Sequence, residues 1–280
     1  MAQGIKEATA GDILALVEEL APFELSDEYV KRYGGKDNSG LLIGSPSKRV
    51  FRVLVTLDIT GEVVTEAVDL SADVIIVHHP LMYRPISAIL EDEVNGAVIA
   101  ELIRADITVI AAHLNLDAAP FGINQVLADM LELEDACAIL PVGKDGGVGR
   151  IGKLYAPCTA GELTERCREL FPDGNLRFSG RDDQAVSKVA VVGGGAGNDM
   201  PLLSEAIRMG ADFIITGDIS HYMALWLSEQ GIAFVDAGHH ATEAAALPDL
   251  CDTLRRYAET EGLDVEIALS NVDTNPFRIR

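Results

Sequence analysis

Short apolar runs with no polar member are the feature that most restricts the folds open to this chain. They are "VIIV" (74–77), "VIAA" (109–112), "VAVV" (189–192), "FII" (213–215) and "IAFV" (232–235). A strand with one wet face alternates apolar and polar residues; an unbroken run belongs to a strand covered on both faces, the habit of parallel sheets in α/β proteins. The runs alternate with stretches of helical spacing. Residues 61–70 and "DEVNGAVIAELIRADI" (92–107) read as helices. So do residues 10–22, where Ile13, Leu14, Val17 and Leu20 share a face until Pro22 ends it. "GLLIG" (40–44) and "RVFRVLVTLDIT" (49–60) read as further strands, "TVIAAHLNLD" (108–117) as another, and "FGINQVLADMLELED" (121–135) as a helix. The result is an α/β chain with mixed sheets.

Two domains are expected, the first from residues 1–130 with 236–280 and the second from 131–235, which holds the Gly-rich loop. An internal repeat is a candidate explanation for part of this. "EAVDLSADVIIVHH" (66–79) aligns without gaps to "EAIRMGADFIITGD" (205–218), which would make the two strand ends equivalent places.

A net charge of −22 repels phosphate backbones and anionic bilayers, so neither nonspecific nucleic-acid binding nor membrane binding is expected. No run reaches the length of a membrane helix, and the N-terminus lacks the pattern of a secretory signal. Cys137, Cys158, Cys167 and Cys251 have no paired spacing and read as reduced, mostly buried thiols of a cytoplasmic protein.

All six histidines follow apolar strands. His78 and His79 end "VIIV" and precede Pro80. Mid-strand, neighbouring side chains point to opposite faces; at a strand's end the chain turns, and in open α/β sheets ligands bind beyond the carboxyl ends of strands. His113 and Asp117 follow "TVIAA", with Asp117 equally readable as a helix cap. His239 and Glu243 stand four apart after "IAFVD" and share a face if a helix begins there. Asp218 and His221 follow "DFIIT". Gly194, Gly195 and Gly197 sit in "VVGGGAGND", a loop that would line a site and could bring backbone N–H groups to an anion; it lacks the spacing of known nucleotide motifs. Imidazoles and carboxylates without thiolate suit Zn, Fe, Mn or Ni, and their number suggests two ions.

With these stretches in view, the chain resembles the NIF-three-like family, the type 2 homologues of GTP cyclohydrolase I. "LVEELAPFEL", "DNSGLLIG", "ADVIIVHHPLMY", "AAHLNLDAAPFGINQVLA", "VAVVGGGAGND", "GADFIITGDISHYMAL" and "DAGHHATE" carry the likeness in family order along most of the chain. The resemblance implies two divalent transition metal ions held by His78, His79, Asp117, His239 and Glu243, with Glu243 shared. It also implies a toroidal homohexamer of subunits with two interlinked α/β domains, here in a short form without a central inserted domain. A departure lies at "GGKDNSG" (34–40), where the family has Trp-Asp-Asn, and another at His240. The activity expected is metal-dependent hydrolysis of a nucleotide or related small molecule, with His221 or His113 moving the proton. The alternative is a non-enzymatic metal-binding scaffold, store or chaperone.

Overall fold

A computed structural model describes residues 6–172 and 174–278. Two compact units divide the chain: Met1–Leu116 with Leu247–Thr274, and Asp117–Ala246 with Asn275–Arg280. The sequence reading grouped residues 117–130, 236–246 and 275–280 with the first of its two domains.

The first unit is organised by a five-stranded sheet in the order Glu266–Leu269, Arg52–Thr56, Val74–Val77, Thr108–Ala111, Gly40–Ile43. The first four are parallel, and Gly40–Ile43 runs antiparallel at the edge. Val74–Val77 and Thr108–Ala111 are buried at every position, as their unbroken apolar sequence requires. Helices Gly61–Asp69 and Val94–Arg104 supply Val63, Val64, Ala67, Val98 and Leu102 to a core with Leu54, Ile75 and Val109. Burying a side chain such as Ile75 stabilises the fold by about 1.5–3 kcal/mol. Helix Ala10–Leu20 opens with a capping box between Thr9 and Asp12, and its buried face is Ile13, Leu16, Val17 and Leu20. Leu16 takes the place expected for Leu14. The stretch expected as one strand from 108 to 117 stops at Ala111, and Leu114–Ala118 coils into a helical turn. Asn115 holds that turn by donating its side-chain amide to the Ala21 carbonyl at 2.7 Å.

The second unit has a six-stranded sheet in the order Leu133–Val142, Gly146–Thr159, Ala185–Val191, Phe213–Thr216, Ala233–Asp236, Arg177–Ser179. Ala185–Val191, Phe213–Thr216 and Ala233–Asp236 are mutually parallel, and the flanking pairs are antiparallel. The helix expected over 121–135 covers only Ile123–Met130. Glu132 adopts a left-handed backbone (φ 54), which ends the helix and releases the strand at Leu133.

The stretches aligned as a repeat have the same local form. Gly61–Asp69 leads to Val74–Val77 and Met200–Arg208 leads to Phe213–Thr216; each strand is wholly buried and interior to its sheet.

Candidate metal centre

Three adjacent parallel strands of the first unit end in polar residues. Arg52–Thr56 leads to Asp58, Val74–Val77 to His78 and His79, and Thr108–Ala111 to His113. The chain bends at His78 and His79 while their N–H groups still donate to the Thr56 and Leu57 carbonyls, at 3.2 and 2.9 Å. The bend brings both rings together, with centroids 4.8 Å apart. The His113 ring lies 5.1 Å from that of His78, and the three residues can each offer a ligand atom within 4.8 Å of the others.

Each ring is fixed through Nδ1. His78 Nδ1 bonds the Ala112 carbonyl at 2.8 Å, His79 Nδ1 bonds Asp58 Oδ1 at 2.8 Å, and His113 Nδ1 bonds Asp37 Oδ1 at 2.7 Å. A carbonyl can only accept, so Nδ1 of His78 carries the proton and Nε2 the lone pair. Asp58 is held in turn by Thr274 Oγ1, 2.7 Å from Oδ2. Burial would raise the Asp37 carboxyl, but hydrogen bonds from His113, Ser26 and Ser39 outweigh it and hold the group far below the ordinary carboxylate range. Asn38, donating to the Met82 carbonyl, and Tyr83, donating to Lys36, fasten the loop that carries Asp37.

The second unit repeats the device. Ala185–Val191, Phe213–Thr216 and Ala233–Asp236 lead into the Gly193–Gly195 loop, Asp218 and His239. A helix does begin at His239, and the four-residue spacing places His239 Nε2 3.3 Å from Glu243 Oε2. His239 Nδ1 bonds Asp218 Oδ2 at 2.8 Å, and Asp218 itself is left-handed (φ 58). Asp117 and Glu243 can offer oxygens within 4.8 Å of each other, and Glu243 is buried. The glycines explain themselves by distance. A Cβ on Gly194 would meet Glu243 Oε1 at 2.0 Å, and one on Gly195 would crowd Asp218 and His239 at 3.2 Å. The Gly194 N–H donates to Thr242 Oγ1 (2.9 Å) and the Gly197 N–H to the Gly217 carbonyl (3.0 Å), so both are engaged within the protein.

The remaining expected residues are placed as follows. His221 stands exposed on the first turn of helix His221–Glu229, its ring edge-on to Tyr222, and among the described residues it joins no group that could hold an ion. His240 is half-buried beside His239. Of the cysteines, all free, only Cys167 and Cys251 are buried; Cys137 is exposed. The supporting carboxylates Asp37 and Asp58 were not singled out from the sequence, although each lies inside a stretch that was, "DNSGLLIG" and "RVFRVLVTLDIT".

A model of the Duf34/NIF3 (NGG1p interacting factor 3) family matches residues 8–276. The chain belongs to the Duf34/NIF3 family. A Clostridium perfringens relative named GTP cyclohydrolase 1 type 2 homolog is 32% identical over 268 residues, covering 95% of this chain and 97% of the relative. A Halalkalibacterium halodurans relative of the same name is 25% identical in an alignment of 380 positions, so the extra length sits in that relative. The crystal structure of a Bacillus cereus protein related to NIF3 superposes with a TM-score of 0.89 at 26% identity, covering 98% of this chain and all of that one. The groups described above are thus capable of holding metal in a NIF3 fold, and among the described residues no helix is long and apolar enough to cross a membrane.

Proposed function

We propose that this NIF3 protein is a metal-dependent hydrolase of a nucleotide or related small molecule. In this reading His78, His79, Asp117, His239 and Glu243 are the ligands of a dinuclear centre, with Glu243 shared between the ions. The observation that carries it is the set of oriented rings. His78, His79 and His239 each hold Nδ1 against a carbonyl or carboxylate, the arrangement that places the coordinating lone pair on Nε2 and orients metal-binding histidines. Neutral imidazoles with two carboxylates suit Zn, Fe, Mn or Ni, and the close carboxylates Asp117 and Glu243 call for positive charge.

Two such ions, when bound, supply an acidified water and a Lewis acid. The protein's own residues do the rest. His113, kept as an Nδ1–H ring by Asp37, takes and returns the substrate's proton at Nε2. His221, on the first turn of its helix, is the alternative for that role. The loop of Gly194, Gly195 and Gly197 lines the substrate's place in this reading, and it passes so close to Glu243 that a Cβ at Gly194 would strike Glu243 Oε1. GTP is the first substrate to try, because relatives carry the cyclohydrolase name; six copies are the assembly the family resemblance implies.

The test is turnover of GTP and of simple phosphoesters by metal-loaded protein, with and without chelator. Chelator-sensitive turnover that vanishes in His221→Ala while metal content stays intact supports the reading. Full metal loading with no turnover of any substrate would contradict it and leave a metal store, chaperone or scaffold.

A further inference from the structure

Asp236 ends the strand Ala233–Asp236 with its carboxylate buried. A buried carboxylate is costly unless every lone pair is answered, so its partners tell what it is for. One oxygen, Oδ2, accepts from the Ile219 N–H at 2.9 Å and from the Arg177 guanidinium; the other, Oδ1, accepts from the Gly238 N–H at 3.1 Å. Arg177 closes the circuit by donating to the Ile219 carbonyl at 2.7 Å.

The two backbone groups are not arbitrary. Ile219 directly follows Asp218, which is held in the left-handed region without being glycine. Gly238, itself left-handed (φ 88), directly precedes His239. One carboxylate thus pins both sharp turns, and the side chains those turns project, Asp218 and His239, meet at 2.8 Å. A non-glycine residue in the left-handed region persists only where its surroundings hold it there. Gly217 adds to the hold by donating to the Gly194 carbonyl at 3.0 Å.

We infer that Asp236 and Arg177 are positioning residues for the metal centre: they fix the Asp218 turn against the His239 turn, and so set the tautomer and direction of the His239 ring. This rests on the reading of His239 as a metal ligand. The bonds that hold ligands in place are worth roughly 10–100-fold in metal affinity.

The test uses the full chain stripped of metal and titrated with cobalt(II), following affinity and the visible ligand-field spectrum. Wild type, Asp236→Asn, Asp218→Ala and the double variant form a cycle, with His239→Ala as control. Asp236→Asn is expected to weaken cobalt binding about tenfold and alter the spectrum, and to add nothing once Asp218 is already Ala. Arg177→Ala, at an exposed side chain, gives the same readout should Asp236→Asn fold poorly, and Arg177→Lys should restore part of the affinity. Wild-type affinity and spectrum in both Asp236→Asn and Arg177→Ala would overturn the inference. So would a full additive loss in the Asp218→Ala background, which marks a general structural effect. Cobalt binding unchanged in His239→Ala would instead remove the metal reading itself and the inference with it.

Discussion

Asp37 shows how a single residue holds a histidine of the candidate site in place. Its carboxylate takes hydrogen bonds from His113, Ser26 and Ser39, and these hold it ionised against the cost of burial. A carboxyl whose pKa is lower in the folded than the unfolded chain binds its proton more readily when unfolded. Its contribution is therefore complete above the ordinary carboxylate range and drains away as pH falls. The wild type should lose stability between about pH 5 and pH 2 more steeply than Asp37→Asn, measured as the urea midpoint. Parallel curves for the two proteins would show that the His113–Asp37 bond contributes nothing. Asp37 was not read as functional because the histidine it holds is 76 residues away in sequence. Nothing local marks a carboxylate that will meet a histidine on another strand.

At the scale of elements, the sequence spoke clearly where one segment decided its own environment. Unbroken "VIIV", "TVIA" and "FIIT" became wholly buried strands, and the H-x-x-x-E spacing became one face of a helix. It spoke poorly where a single backbone angle decided. Glu132 stops a helix through its left-handed φ, and Leu114–Ala118 coils because Asn115 finds a carbonyl far off in sequence. The Gly-rich loop is a middle case: the glycines signalled a close approach without saying to what. The approach is to Glu243 and His239, and it gives a sharp expectation. Gly194→Ala adds a methyl where a carboxylate oxygen stands, at a left-handed position (φ 69) that also disfavours alanine. Metal content should fall well below that of the wild type while the far-ultraviolet circular dichroism stays native. Undiminished metal would show that Glu243 has room to move aside.

Across the whole molecule, each unit ends three parallel strands in the same kind of place, where open α/β sheets bind their ligands. One set carries Asp58, His78, His79 and His113, the other the glycine loop, Asp218 and His239. This was legible from histidines clustering after apolar runs. The boundary between units was less so, because Leu116 and Asp117 are neighbours on one helical turn yet fall in different units. The nearby carboxylates of Asp117 and Glu243 are groups that a bound cation would hold together. Ligands that bind only the folded state raise its stability, so chelation should lower the melting temperature and added metal restore it. The most direct measurement is metal content per subunit, by plasma mass spectrometry, for wild type and Glu243→Ala. The account predicts about two transition-metal ions per wild-type subunit, as a two-metal site requires, and a marked loss in the variant with the fold retained. Metal-free wild type, or equal metal in both proteins, would contradict it.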